Sequence, residues 1–399
     1  MYPRSPIESI RKFHKELTSL RRDLHANPEM GFKELRTASI VAGALQALGI
    51  EVHRGVGQTG VVGIIDGKKT DSGRMVGLRA DMDALPILEE NEIEHRSTQP
   101  GLMHACGHDG HTAMLLGAAR YLAQTRNFNG KVALIFQPAE EGLGGAKAMI
   151  DDGLFDKFPC DSIYAMHNWP ALPAGVIGIN PGPMMAASDR FEIKIHGRGG
   201  HGAHPYQTID PIIVAAQLIT ALQTIVSRNV HPIESAVVSL GHIHSGNAAA
   251  PSVIPSHATL IGTVRTFSDD VQKIVEARMR TLVSTIAEAF GAKAELNYTR
   301  QYPATINSLK EANFLADVAT DLFGSERVVR NLIPSMGSED FSFMLQKKPG
   351  AYFRLGQGGA EQGKLLHNPK FDFNDDIIPA GSSMFAALAE RSMPLLEKQ

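Results

Sequence analysis

Short β-rich runs separated by helical stretches fill the first third of this chain, and that alternation constrains its fold more than anything else. Ile7 to about Ala26 has helical periodicity and stops short of Pro28, and Glu34–Leu48 reads as a second helix closed by Gly49. The runs Val61–Ile65, Met75–Arg79, Val132–Phe136 and Ile163–Met166 read as strands, with helical stretches such as Thr112–Leu122 between them. Strands alternating with helices predict an α/β fold, a mixed and mainly parallel sheet flanked by helices.

The middle of the chain changes character. Phe191–His196 alternates as a strand, and Asp210–Ser227 reads as a helix with Pro211 in its first turn. Ala236–His242 and Ala258–Thr266 read as two strands, Asp269–Phe290 as a long amphipathic helix ended by Gly291, and Lys293–Tyr298 as a last strand. This β-α-β-β-α-β order is the ferredoxin-like pattern, and it makes a domain of about 110 residues. A helix at Leu309–Phe323, a strand at Ala351–Leu355 and a helix near Ser382–Pro394 then return to the first pattern. The expected organisation is a discontinuous domain, residues 1–187 and 302–399, carrying an inserted α+β domain, residues 188–301. A chain of 399 residues is long enough for two cores.

Composition narrows the partners. The net charge of −3 comes with no basic stripe, so nucleic acid is not an expected partner. The segment Met1–Pro6 leads into no apolar signal region and no apolar run is expected to span a membrane, so no membrane partner is expected either. Cys106 and Cys160 are the only cysteines, too few for a disulfide framework, which points to a reducing compartment such as the cytoplasm.

Chemistry concentrates in His104-Ala105-Cys106-Gly107-His108-Asp109-Gly110-His111, at the start of a helix expected from Asp109 to about Thr125. Thiolate and imidazole together suit zinc and its transition-metal neighbours. Alone, the run could equally be a buried histidine cluster. It gains meaning from three further clusters behind expected segments: Asp81-Met82-Asp83, Gln137-Pro138-Ala139-Glu140-Glu141 and His167-Asn168-Trp169. In an open α/β sheet the ligand crevice lies at the carboxyl ends of the strands. His367-Asn368-Pro369 is a fifth candidate, beyond the insertion. Of two adjacent glutamates, one can bind a metal while the other takes a proton from the water that the metal activates, a pattern that predicts hydrolysis. His104 and His111 are open between support of the site and capping of the helix.

These clusters stand beside Leu24-His25-Ala26-Asn27-Pro28-Glu29, Arg79-Ala80-Asp81-Met82-Asp83-Ala84-Leu85-Pro86-Ile87, Gly200-His201-Gly202-Ala203-His204-Pro205 and Leu366-His367-Asn368-Pro369. With them the chain resembles peptidase family M20, the binuclear metallopeptidases that include aminoacylases, dipeptidases and glutamate carboxypeptidases. Within it the likeness is to the hippurate hydrolase and indole-acetyl-amino-acid hydrolase branch. The resemblance implies two divalent ions per subunit (Mn, Zn, Co or Ni) held by Cys106, His108, Glu141, His167 and His367. It makes Glu140 the general base and then the acid, and Asp83 the residue that orients a metal-ligating side chain. Asp81 stands where more distant relatives have a metal-binding histidine, and Cys106 would compensate. The inserted domain would be a lid that also dimerises. His201 would stabilise the oxyanion in the other subunit's site, and Arg265 would clamp the substrate carboxylate. Ser252, in Ser252-Val253-Ile254-Pro255, replaces an asparagine of many relatives, so its contact would be weakened, water-mediated, or supplied by Asn247. The implied reaction splits N-acyl or N-aroyl amino acids into a carboxylate and a free amino acid, in a homodimer or homotetramer. A dipeptidase or an N-acetyl-diaminopimelate deacetylase is the alternative within the family, and a non-catalytic metal-binding protein the alternative outside it.

Overall fold

The computed structural model describes residues 6–395, and they divide into two compact units. The first takes the chain up to Met184, Ile306–Pro334 and the part from Asp340 onward; the second takes Met185–Thr305 and Ser335–Glu339. In chain order, β1 (Glu51–Val56), β2 (Gly60–Asp66), β3 (Met75–Asp81), β4 (Lys131–Gln137), β5 (Ser162–Trp169) and β6 (Ile177–Ile179) belong to the first unit. The second unit contributes β7 (Ala187–His196), β8 (Ala236–Ser245), β9 (His257–Thr266) and β10 (Lys293–Tyr302), and the chain returns with β11 (Val328–Arg330) and β12 (Gly350–Gly356).

The first unit is built on one sheet in the order β1-β2-β4-β3-β5-β12-β6-β11. Its centre, β4-β3-β5-β12, is parallel throughout, with β3 and β4 in a register that sets Asp81 opposite Gln137. β1 and β2 add antiparallel strands at one side, and β6 runs against β12 but along β11. The parallel centre explains why its strands are nearly continuous apolar runs: helices cover both faces, so neither face can be polar. All seven residues of β3 are buried, Arg79 and Asp81 included. Three strands lacked a signal in the sequence: β1 is mostly exposed, and β6 and β11 are three residues each. The central helix, His108–Thr125, buries almost its whole surface between the sheet and neighbouring helices.

One expected helix is two. The periodicity from Ile7 breaks between Pro6–Arg11 and His14–Ala26, where Lys12 and Phe13 donate to Ser9 and Ile10 in tighter three-residue turns. Phe13 is thereby buried, with the Arg120 guanidinium 4.4 Å above its ring.

The second unit has the ferredoxin-like order, with a fully antiparallel sheet β8-β9-β7-β10. Its helices are Pro211–Asn229, capped by the Asp210 carboxylate on the Ile212 N–H at 2.9 Å, and Asp269–Ala289, capped by Ser268. Phe191, Ile193 and Ile195 alternate along β7 to face Val214, Leu218, Val275 and Met279 in one core. Its limits differ from residues 188–301, and the separate piece Ser335–Glu339 had no sign in the sequence. The expectation that no helix is long enough to cross a membrane needs correction: Pro211–Asn229, with 19 residues, is long and apolar enough. Here that apolar character serves packing, since Val214, Leu218, Leu222 and Ile225 fill the core of the unit.

Candidate metal centre

Strand ends and one helix start gather the candidate residues in the first unit. Asp81 closes β3, Glu140 and Glu141 follow β4, and His167 lies near the end of β5, opposite Arg354 of β12. Cys106 and His108 arrive at the start of the central helix, His108–Thr125. They do not follow a strand; residues 82–107 run irregularly, with isolated bridges only at Ala84, to Met30, and between Leu85 and Met103. Pro86 and Pro100 cannot donate to a ladder, and the charged segment Glu89–Glu94 has no apolar face to bury. Gly107, at φ 95°, then turns the chain into the central helix, with the Asn168 amide where a Cβ would sit.

The donors close on each other in overlapping sets. Cys106, His108 and His167 form one buried set whose ligand atoms all lie within 4.8 Å of one another, and Cys106, Glu141 and His367 form a second. Cys106 Sγ is 3.3 Å from His167 Nε2, and His367 Nε2 is 3.1 Å from Glu141 Oε1. His367 has φ 63°, held by its N–H donating to the Ala105 carbonyl at 2.8 Å, and its side chain is half exposed.

Asp83 organises this cluster. Its Oδ1 accepts the Glu140 N–H and its Oδ2 the Glu141 N–H, both at 3.0 Å. His108 donates from Nδ1 to the Asp83 carbonyl at 2.9 Å, with Asp83 Oδ1 at 3.3 Å. That leaves the lone pair to the buried His108 Nε2, which has no hydrogen-bond partner. Ligating histidines show this arrangement, with the second nitrogen tied to a carboxylate or carbonyl. Asp81 is engaged on both oxygens, by His111 Nδ1 at 2.6 Å and the Arg79 guanidinium at 2.8 Å.

The electrostatics ask for positive charge. Burial pushes the Cys106 thiol well up, and Glu141, Glu140 and Asp81 push it further. Burial disfavours the His108 imidazolium, yet Asp81, Asp83 and Glu141 outweigh it and lift the ring to about 10. His167 goes the other way, held well down by burial and by His111, so it stays a neutral ring. A dication would answer each of these: it would favour the Cys106 thiolate, stand in for the positive charge that the carboxylates draw onto His108, and use the lone pair of neutral His167. The donor chemistry and the orphaned His108 Nε2 therefore fit divalent metal.

The profile of Peptidase family M20/M25/M40 matches residues 77–391. The chain belongs to this family. It is 44% identical to the hippurate hydrolase of Campylobacter jejuni over 383 residues, 96% of this chain and 98% of that one. It is 40% identical to the N-acetylcysteine deacetylase of Bacillus subtilis over 380 residues, 94% and 97% of the two chains. A crystal structure from Bacillus subtilis, described as a dinuclear metal binding peptidase from the M20 family, matches with a TM-score of 0.83 at 36% identity, covering 96% and 99%. This M20 chain is a metal-dependent hydrolase of amide bonds.

The remaining site residues of the M20 chain lie in its second unit. His201 pairs with Val253 in a two-residue ladder, and the Gly202 N–H donates to the Ser252 carbonyl at 2.7 Å, so the His201 and Ser252 segments are neighbours. His201 is exposed and accepts the Ala203 N–H on Nδ1. The Asn247 amide oxygen caps a local turn by accepting the Ala249 N–H. Arg265 lies on β9 and donates to the Ser188 hydroxyl across the ladder to β7. In the first unit, sequence reasoning missed Asp340, whose carboxylate accepts from Arg79, Gln137 and the Ala146 N–H. Only Arg79, inside a motif already singled out, hinted that a second buried acid was required. His111 and Asp109 support the centre rather than face it: His111 bonds Asp81 and Asn168, and Asp109 bonds His25 and Arg21.

Proposed function

We propose that this chain hydrolyses the amide bond of N-acyl and N-aroyl amino acids, releasing a carboxylate and a free amino acid. The observation that carries the reading is Glu140, a buried carboxylate whose backbone is locked on Asp83 beside two donor sets that share Cys106. The names of both relatives describe N-acylated amino acids as substrates, which supports the substrate class.

Cys106, His108, Glu141, His167 and His367 would hold two divalent ions, with manganese, zinc, cobalt and nickel all compatible with the donors. Bound metal supplies Lewis acidity to the amide carbonyl and to the attacking water. Glu140 takes the proton of that water as its oxygen bonds the carbonyl carbon, then returns it to the amine nitrogen as the C–N bond breaks. Asp83 keeps Glu140 and Glu141 from moving independently. Arg265 grips the free carboxylate of the amino-acid half, and His201 donates to the developing oxyanion. Asn247 and Ser252 share the substrate face in place of the asparagine of relatives. The working form is a homodimer or homotetramer. Both cysteines are free and buried, which suits the reducing cytoplasm.

The test is Glu140→Gln in metal-loaded protein, assayed on benzoyl-glycine, N-acetyl amino acids and dipeptides. Turnover should fall about 10²- to 10⁴-fold with metal content unchanged. Near-normal turnover overturns the mechanism, and preference for dipeptides overturns the substrate class.

A further inference from the structure

We propose that Glu34 is a positioning residue for Glu140, acting through the backbone of Ala139. The inference rests on Glu140 being the base. Glu34 is a fully buried carboxylate far in sequence from every metal donor. Its Oε1 accepts the Ala139 N–H at 2.8 Å, and its Oε2 accepts the Thr59 hydroxyl at 2.6 Å.

Ala139 is the point at which the chain after β4 must turn. Its φ is 52°, a left-handed conformation that an alanine adopts only under constraint. The constraints are visible on three sides. Glu34 holds the N–H, the Gly145 N–H donates to the carbonyl at 2.9 Å, and the Cβ packs where a Cβ on Gly31 would come within 3.0 Å. The next two N–H groups, of Glu140 and Glu141, go to the two oxygens of Asp83. Three consecutive backbone donors are thus each taken by a carboxylate oxygen, one from Glu34 and two from Asp83. Asp83 holds the second and third of these N–H groups, and Glu34 holds the first, at the residue where the turn begins. Without Glu34, Ala139 has a buried unpaired N–H and no reason to stay left-handed. The turn then relaxes toward ordinary φ and carries the Glu140 carboxylate with it.

Glu34→Ala and Glu34→Gln separate this role from simple stability. Glutamine keeps an oxygen for the Ala139 N–H, and its amide can donate to Thr59. With saturating metal and benzoyl-glycine, Glu34→Ala should lower kcat about tenfold to a hundredfold, with KM within about threefold, because a displacement of about 1 Å at a reacting group costs that much. Glu34→Gln should recover most of kcat. Hydrogen exchange in the segment 137–142 should rise in Glu34→Ala and return in Glu34→Gln. A lower melting temperature with kcat and exchange both unchanged overturns the proposal. Should Glu34→Ala not fold, Glu34→Asp, which withdraws the carboxylate from the Ala139 N–H, takes its place; unchanged kcat and exchange there overturn it equally. If the wild type cleaves no N-acyl amino acid, the substrate reading fails, and the exchange measurement still decides whether Glu34 holds the turn.

Discussion

Asp83→Asn perturbs the centre with almost no change of shape. Three donors meet the Asp83 carboxylate: Glu140 N–H and His108 Nδ1 on Oδ1, at 3.0 and 3.3 Å, and Glu141 N–H on Oδ2 at 3.0 Å. Asparagine keeps one acceptor and turns the other position into a donor. Its oxygen settles where two donors point, on the Glu140 and His108 side, and its NH₂ group then faces the Glu141 N–H. A charge-assisted hydrogen bond is lost and a partly buried N–H is left unpaired, together about 2–4 kcal/mol. At about 1.4 kcal/mol per decade this is roughly 30- to 700-fold. The geometry also says where it falls: Glu141 is released and Glu140 is not. Metal affinity should absorb most of the loss, and kcat at saturating metal should drop far less. The assay is a titration of the chelated enzyme with Mn²⁺ or Zn²⁺, reading activity and bound metal, followed by kcat at saturation. Metal binding within threefold of wild type refutes the reasoning, and so does a loss confined to kcat.

Two other outcomes follow from single contacts. His25 donates between Asp109 at 2.8 Å and Glu89 at 3.2 Å, and although burial opposes its charge, these carboxylates lift it from 6.5 to about 9. A proton held more tightly in the folded state stabilises it fully below pH 6.5, and that gain, on the order of 3 kcal/mol, drains as pH rises through about 9. Urea melts should therefore show the wild-type advantage over His25→Gln shrinking from pH 6 to pH 9.5; a pH-independent difference rules this out. Arg265→Met should raise KM for benzoyl-glycine about tenfold or more while sparing benzoyl-glycinamide, since the clamp reads the carboxylate. Equal increases for both would remove Arg265 from that role.

The parallel centre of the sheet was legible because burial on both faces forces continuous apolar runs, and a run such as Val132–Phe136 can hardly be anything else. β1, Glu51–Val56, was not, because an exposed edge strand needs no apolar pattern. The inserted unit was legible from the order of its elements alone, but Ser335–Glu339 joins it through backbone bonds from Ala186, and no local pattern announces such a return. The same division runs through the site. Candidate donors such as Cys106, His108 and Glu141 are recognisable by residue type and clustering. Glu34, Arg79 and Asp340 are ordinary charges in the sequence and acquire their roles only when folding leaves one buried N–H or one buried carboxylate opposite another. A buried charge must be paired, so each such residue needs a counterpart that sequence distance hides: 105 positions separate Glu34 from Ala139, and 261 separate Arg79 from Asp340.

Asp81 and Cys106 show what this pairing does to function. Asp81 lies close to the centre, with Oδ2 3.7 Å from His108 Nε2 and a place in a cluster with His108 and His111. Its two oxygens, however, are bound by Arg79 and His111, and although burial opposes its charge, His108, Arg79 and His111 hold its carboxyl well below the ordinary range. A carboxylate so satisfied gains little by turning to an ion, and turning would break its bonds to Arg79 and His111. Cys106 has the opposite surroundings. Burial and two glutamates oppose its ionisation, and it stands in both donor sets. Only a cation makes that position favourable for a thiolate. The acid at position 81 is therefore spoken for by the scaffold, and the thiol at position 106 stands as the candidate donor.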